Sequence, residues 1–145
     1  MRDLLAGTWY YRPIVGPLSE TPRHASLQIL IIDDDPIVTR MLSRVLSAHT
    51  VQVANSGAGA LERLSHHQFD LILCDLAMPG MSGMELYRAI EAESAETAER
   101  MIFMTGGAFT REGQEFLARV PNGRLEKPFD LRALRAVAAT RSLAL

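Results

Sequence analysis

Five polar side chains stand at the ends of segments that are predicted to be β-strands. Asp33 and Asp34 follow the first predicted strand, Asp75 the third, Thr105 the fourth and Lys127 the fifth. The carboxyl ends of parallel strands meet at one edge of a sheet, so these five side chains are expected to lie together. A lone Asp75 would be interpreted as a turn-capping residue. Because four other polar side chains are expected beside it, Asp75 is a candidate reactive group.

The chemistry that this set could perform is phosphoryl transfer. Three carboxylates repel one another unless a cation neutralises them, and their hard oxygen atoms suit Mg²⁺ or Mn²⁺. Lys127 is one of 15 basic residues and all the others are Arg, which indicates a site that needs a compact ammonium. With a metal ion and the Thr105 hydroxyl, this ammonium would stabilise a transferring phosphoryl group, and an Asp carboxylate would act as the nucleophile.

The segments that must position these residues alternate between strand and helix patterns from Leu27 onward. Strands are predicted over residues 27–32, 50–54, 70–74, 101–104 and 124–126, and helices are predicted to begin at Pro36, after Asn55 or Ser56, at Gly83, at Thr110 and after Asp130. Residues 93–99 are predicted to form a polar surface connection. Strands alternating with helices imply right-handed crossovers, and therefore a doubly wound α/β domain whose parallel sheet is covered on both faces.

Chain length and local composition indicate one folded domain preceded by an arm. A chain of 145 residues is sufficient for a single domain with a real core. Residues 1–26 include three prolines between positions 13 and 22 and lack sustained periodicity, so they are predicted to be an arm or linker, with residues 27–145 forming the domain. The Trp-Tyr-Tyr cluster at residues 9–11 is open to interpretation as a mobile arm with incidental contacts, a short strand, a docking surface or the tail of a neighbouring domain.

Charge and cysteine content exclude several function classes. A formal net charge of -2 offers no basic field for nucleic acid, so direct nucleic-acid binding is not expected. Cys74 is the single cysteine and lies within an apolar run, which fits a reducing compartment. No apolar run approaches the roughly 18 residues that a membrane span needs, and no secretory signal is present. We therefore expect a cytoplasmic protein that does not enter a membrane.

Four sequence blocks, in order and at the right spacing, resemble the signature blocks of the response-regulator receiver domain. They are residues 29–36 (ILIIDDDP), 75–83 (DLAMPGMSG), 104–107 (MTGG) and 126–129 (EKPF). The resemblance covers about residues 27–141. It implies a flavodoxin-like fold, in which a five-stranded parallel sheet of strand order 2-1-3-4-5 carries helices on both faces.

The resemblance also implies a role for each site residue. Asp75 would be the phosphoacceptor, taking a phosphoryl group from the phosphohistidine of a sensor histidine kinase or a phosphotransfer protein to form an aspartyl phosphate. Asp34 and Asp75 would bind Mg²⁺ directly, together with the backbone carbonyl of Ala77, while Asp33 would act largely through a water molecule; Mn²⁺ is an alternative metal. Lys127 would contact a phosphoryl oxygen.

The family further implies how the phosphoryl group is sensed. Thr105 would turn inward to hydrogen-bond the phosphoryl group, coupling the site to the surface of the fourth helix, fifth strand and fifth helix. The peptide bond between Lys127 and Pro128 would be cis. Phosphorylation of Asp75 would thus switch a protein-binding surface whose downstream target the sequence does not identify.

This chain departs from the family pattern at Arg124. Receivers usually have a Tyr or Phe three residues before the lysine, so the aromatic switch cannot operate here in its usual form. Arg124 is interpreted either as a solvated strand-edge residue or as a charge facing a partner. Ala77 and Gly107, which stand where dephosphorylation is tuned in the family, are both small and would leave the phosphoryl group open to water.

Three functions are therefore weighed. The first is a phosphoacceptor receiver, either a stand-alone regulator or the terminal receiver of a hybrid kinase, acting as a monomer or weak homodimer. It would be a signalling protein and not an enzyme. The second is a degenerate receiver that serves only as a protein-binding platform, which Arg124 keeps open. The third is a small Mg²⁺-dependent phosphatase with Asp33 as its nucleophile, because Asp33-x-Asp35 resembles the start of a haloacid-dehalogenase-like site.

Overall fold

Five strands alternate with six helices in the computed structural model, which describes residues 25–106 and 110–145. The strands are β1 (Gln28–Ile32), β2 (Thr50–Ala54), β3 (Leu71–Asp75), β4 (Met101–Thr105) and β5 (Arg124–Glu126). The helices are α1 (Pro36–Val45), α2 (Gly57–His66), α3 (Gly83–Glu93), α4 (Ala95–Glu99), α5 (Arg111–Arg119) and α6 (Leu131–Leu143). The α/β class predicted from the sequence pattern is confirmed.

The strands form one parallel sheet in the order β2-β1-β3-β4-β5. This is the order that the family resemblance implies. The register pairs Ile32 with Cys74, and Asp75 with Met104. The carboxyl ends of β1, β3 and β4 therefore lie level with one another, and the residues that end or follow these strands meet at one edge.

Alternate residues of the strands feed two apolar layers, one on each face of the sheet. Leu30 and Ile32 of β1 pack in the layer that contains buried residues of α2, α3, α4 and α5. Ile29 and Ile31 pack in the opposite layer, which contains buried residues of α1 and α6. The sheet is thus covered on both faces, as predicted, and the two layers hold the strands whose ends carry the polar residues.

The predicted helix starts are confirmed by their caps. Asp35 caps α1 by accepting the N–H of Ile37 at 2.8 Å, and Pro36 occupies the first turn, where its missing N–H is not needed. Ser56, one of the two predicted candidates, caps α2. Asp130 caps α6 by accepting the N–H of Arg132 at 2.9 Å. Each cap fixes where the chain leaves a loop at the carboxyl edge of the sheet and enters a helix.

The prediction of a polar connection over residues 93–99 is wrong, because α4 forms within it. Ser94 caps this helix by accepting the N–H of Thr97 at 3.1 Å, and Ala98 is buried on the sheet. A helix of five residues is too short to show a repeating apolar pattern, which is why its sequence does not indicate it. The helices predicted as fourth and fifth are therefore α5 and α6.

Some sequence predictions fall outside the described part of the chain. Residues 1–24 of the predicted arm, including the Trp-Tyr-Tyr cluster at 9–11, lie outside it, as does Gly107. Within residues 25–106 and 110–145, no helix has the length and apolar character that crossing a membrane requires.

Candidate functional site

The ends of three strands bring Asp33, Asp75 and Lys127 into direct contact. Lys127 Nζ lies 2.9 Å from Asp33 Oδ2 and 3.4 Å from Asp75 Oδ1. Both carboxylates are buried, with exposed fractions of 1% for Asp33 and 6% for Asp75. The positions of these residues therefore agree with the sequence prediction that they share one edge of the sheet.

Asp33 is held by two further hydrogen bonds that leave it little freedom. Its Oδ1 accepts the backbone N–H of Asp35 at 2.9 Å, while its Oδ2 accepts from Lys127. Its own N–H donates to the carbonyl of Ala54 at 3.2 Å. Both carboxylate oxygens of Asp33 thus already have donors, and its side chain is fixed as the anchor of the Lys127 ammonium.

Asp34 completes a cluster of three carboxylates. One oxygen atom from each of Asp33, Asp34 and Asp75 lies within 4.8 Å of the others, and Asp34 is the exposed member. Lys127 contributes one positive charge and the three carboxylates contribute three negative charges, so the cluster carries a net negative charge. Hard oxygen donors with one side open to solvent fit a divalent cation that keeps several waters, such as Mg²⁺. Ala77 is exposed in the loop after β3, two residues beyond Asp75.

Burial and charge act in opposite directions on Asp75 and Lys127. Burial, and next the nearby charge of Asp33, raise the pKa of the Asp75 carboxyl above its ordinary value, against the lowering effect of Lys127. Burial on its own would lower the pKa of Lys127, but the hydrogen bond to Asp33 and the charge of Asp75 outweigh it, so this pKa is raised. The ammonium therefore stays charged at neutral pH, and the Asp75 carboxylate is stabilised by any further cation.

Two glycines, Gly57 and Gly83, allow close packing around the loop that follows Asp75 because they have no side chain. The sequence prediction did not assign them this role. A Cβ on Gly83 would collide with the carbonyl oxygen of Asp75, and one on Gly57 would lie 2.6 Å from Met81 Sδ. The N–H of Gly83 also donates to the carbonyl of Leu76 at 3.0 Å. Gly83, the last residue of the block at residues 75–83, is the sequence feature that could have indicated this contact, because a close approach of two backbone segments needs a residue without Cβ.

Thr105 ends β4 next to this cluster. Its side chain is 2% exposed, and Oγ1 donates to the carbonyl of Leu125 at 3.5 Å, the outer limit of a hydrogen bond. The N–H of Lys127 donates to the carbonyl of Thr105 at 2.7 Å, which ties the two residues together. The Thr105 hydroxyl is therefore close to the site but weakly held.

The remaining predicted features are also located. The peptide bond between Lys127 and Pro128 is cis, as the resemblance implies. Arg124 lies on β5 as the register partner of Phe103 and is exposed. Exposure is compatible with both interpretations of Arg124, a solvated residue and a charge facing a partner.

Comparisons with known proteins agree with this geometry. A family model described as the response regulator receiver domain matches residues 29–139. The response regulator receiver protein CpdR of Brucella abortus is 35% identical over 109 residues, which cover 74% of this chain and 89% of CpdR. The autoinducer 1 sensor kinase/phosphatase LuxN of Vibrio campbellii is 34% identical over 112 residues, but these cover 75% of this chain and only 13% of LuxN.

A solved structure shares the fold along nearly its whole length. The chemotaxis protein CheY4 of Vibrio cholerae superposes with a TM-score of 0.67 at 26% sequence identity, covering 77% of this chain and 95% of CheY4. The match of the family model, the coverage of CpdR and the common strand order lead to one conclusion. This chain belongs to the response regulator receiver domain family.

Proposed function

We propose that this chain is a phosphoacceptor receiver of two-component signal transduction, in which Asp75 takes a phosphoryl group from a phosphohistidine. The observation that carries the proposal is the Lys127 ammonium, which bridges Asp33 and Asp75 at the edge of the acidic cluster. The donor would be a sensor histidine kinase or a phosphotransfer protein. The product would be an aspartyl phosphate on Asp75.

The transfer follows from the groups at this edge. An oxygen of the Asp75 carboxylate attacks phosphorus, and the bond from phosphorus to the histidine nitrogen breaks with its electron pair staying on the imidazole. A raised pKa makes the ionised Asp75 carboxylate more basic and so a better nucleophile. Lys127, held by Asp33, is positioned to contact a phosphoryl oxygen and to offset the added negative charge.

The acidic cluster is proposed to hold Mg²⁺, with Mn²⁺ as a possible substitute. Asp34 and Asp75 would be its direct carboxylate ligands with the Ala77 carbonyl, and Asp33 would act indirectly because both its oxygens already accept hydrogen bonds. When bound, the metal ion would neutralise negative charge on the phosphoryl oxygens. Asp34 supports this assignment, since it is exposed to solvent beside two buried carboxylates.

Thr105 is proposed to sense the phosphoryl group. Its hydroxyl donates only a long hydrogen bond to Leu125, so a phosphoryl oxygen would be a stronger acceptor for it. The inward turn of Thr105 would alter the surface formed by α5, β5 and α6. The downstream partner is proposed to be a protein, since the formal net charge of -2 does not favour nucleic acid.

The chain is proposed to work as a signalling protein in the cytoplasm, where histidine kinases draw on ATP. It would catalyse at most its own phosphorylation and dephosphorylation, as a monomer or weak homodimer. LuxN, which is much longer than the matched region, illustrates that such a domain can stand within a larger sensor kinase.

Incubation with acetyl phosphate and Mg²⁺ tests the proposal. Intact-mass measurement is expected to show one added phosphoryl group that is labile and absent from Asp75→Asn. An unmodified wild-type chain that also fails to bind millimolar Mg²⁺ would instead support the degenerate platform.

The phosphatase alternative is disfavoured by the state of Asp33. A nucleophile needs an available oxygen, but both oxygens of Asp33 accept hydrogen bonds, whereas Lys127 donates to only one oxygen of Asp75. Repeated turnover of a small phosphoester that survives in Asp75→Asn would overturn the receiver proposal in favour of this alternative.

A further inference from the structure

Three aromatic rings form a closed cluster beneath α5, which we call the ring cluster: Tyr87, Phe103 and Phe116. Their centroids lie 5.2 Å, 5.4 Å and 5.7 Å apart, and all three pairs meet edge to face. Each ring is buried, and each comes from a different element: α3, β4 and α5. The cluster therefore joins three elements, and a shift of one ring requires the others to repack.

Two of these elements begin or end at the proposed phosphorylation site. Phe103 stands two residues before Thr105 on β4, so the two side chains lie on the same face of the strand, roughly 7 Å apart along it. Tyr87 belongs to α3, whose first residue, Gly83, packs against the backbone of Asp75. A change at Asp75 or Thr105 thus reaches the ring cluster through one strand and one helix.

The third element, α5, has space in which to respond. A cavity of about 230 Å³ lies between the end of β4 and the first turn of α5, with Leu76, Thr105, Thr110 and Gly113 among its lining residues. This space allows the start of α5 to approach Thr105. Because Phe116 packs against two other rings, such a movement of α5 would change the packing of the cluster.

The strand β5 contributes no ring to this layer. Arg124 is the register partner of Phe103, and it is exposed. Leu125 is the buried residue of β5, and it packs in the opposite layer with α6. The ring cluster, and not β5, is therefore part of the apolar layer that contains α5.

We propose that the ring cluster, in place of a residue on β5, transmits the state of Asp75 and Thr105 to α5. The change of surface on phosphorylation then extends to the groove between α3 and α5, a cavity of about 260 Å³ that Tyr87 and Phe116 line. The Tyr87 hydroxyl donates to Glu91 at 3.4 Å, and Glu91 also lines this groove. The inference rests on the proposed phosphorylation of Asp75 and adds the route by which phosphorylation changes the position of α5.

Fluorine NMR of the chain labelled with 4-fluorophenylalanine tests the route. Signals are assigned with single Phe→Leu variants, and Mg²⁺ with beryllofluoride then supplies an analogue of the aspartyl phosphate. We expect the signals of Phe103 and Phe116 to shift, while Phe69, which precedes β3 at the opposite end of the sheet, stays unchanged. In Thr105→Val the shifts should shrink severalfold. Unmoved Phe103 and Phe116 signals in a chain that acetyl phosphate labels on Asp75 would overturn the coupling alone.

Hydrogen exchange of the α5 backbone separates the ring cluster from β5. Beryllofluoride should change exchange in α5 in the wild type, in Arg124→Ala and in Tyr87→Phe, which keeps its ring. Phe116→Leu keeps an apolar side chain but lacks the ring, and it should lose most of this response while acetyl phosphate still labels Asp75. A normal response in Phe116→Leu, or a lost response in Arg124→Ala, would overturn the proposal. Failure of acetyl phosphate to label the wild type would overturn the proposed function itself.

Discussion

The ammonium of Lys127 lies closer to Asp33 than to Asp75, although Asp75 is the proposed phosphoacceptor. The distances from Nζ are 2.9 Å to Asp33 Oδ2 and 3.4 Å to Asp75 Oδ1. Asp33 therefore holds the lysine in place, and the interaction of the ammonium with Asp75 is the weaker of the two. This arrangement leaves the Asp75 carboxylate basic, with a cation already positioned for the incoming phosphoryl group.

Removal of the Lys127 charge should affect metal binding and labelling in opposite directions. In Lys127→Gln the three carboxylates lose their cation, so we expect Mg²⁺ to bind severalfold more tightly and acetyl phosphate to label Asp75 at least about tenfold more slowly. Calorimetric titration and timed mass measurements follow the two effects. Arg44→Gln, an exposed change of the same charge in the last turn of α1, is the control and should alter neither. Weaker Mg²⁺ binding in Lys127→Gln would contradict the electrostatic account.

The Asp75 carboxylate should destabilise the metal-free protein at neutral pH. Its pKa is raised in the folded state by burial and by Asp33, so its contribution to stability is fully present below the unfolded-state pKa and is lost as pH rises through the folded-state value. We expect Asp75→Asn to raise the free energy of unfolding at pH 7, and to raise it by less near pH 4. Urea denaturation with EDTA present measures both. A less stable Asp75→Asn at neutral pH would be the opposite result.

A methyl group at Gly83 should displace the phosphoacceptor. The Cβ of Gly83→Ala would collide with the carbonyl oxygen of Asp75, so we expect a loss of about 2 kcal/mol in stability and labelling slowed by about tenfold or more. Gly123→Ala is the matched control, because no atom lies within 4 Å of the Cβ that would be added there. Equal effects of the two changes would show that the backbone contact at Gly83 does not position Asp75.

The thiol of Cys74 should be unreactive in the folded protein. Burial, and then the charges of Asp75 and Asp33, raise the pKa of this thiol far above its usual range, so almost no thiolate forms at pH 8. Iodoacetamide should alkylate it on the order of 100-fold more slowly in the native state than in urea. Since Cys74 is the only cysteine, intact mass reports its modification directly. Rapid native alkylation would mean that β3 opens to solvent.

The sequence predicted the site better than it predicted the packing around it. Asp33 and Asp75 each follow a recognisable apolar run, Lys127 follows a short predicted strand, and parallel topology brings the ends of such strands together. The resemblance supplied the strand order, since apolar runs alone do not determine which strands are neighbours. Residue types were therefore sufficient for the cluster, while the sheet order needed knowledge of the family.

Other features depend on contacts between residues distant in the sequence. The ring cluster joins Tyr87, Phe103 and Phe116, whose shared position is defined only once α3 and α5 pack on the sheet. The collision that excludes a side chain at Gly83 similarly requires the folded backbone. Helix α4 was missed for a different reason, because a single helical turn capped by Ser94 has no periodicity to recognise.

Locating the acyl phosphate along the chain tests the central claim most directly. After reaction with acetyl phosphate and Mg²⁺, borohydride reduces an aspartyl phosphate to homoserine, and peptide mass spectrometry identifies the converted residue. We expect homoserine at position 75 alone, and none in the chain treated without acetyl phosphate. Conversion at position 33, or no conversion in a folded wild-type chain, would contradict the assignment of Asp75 as the phosphoacceptor.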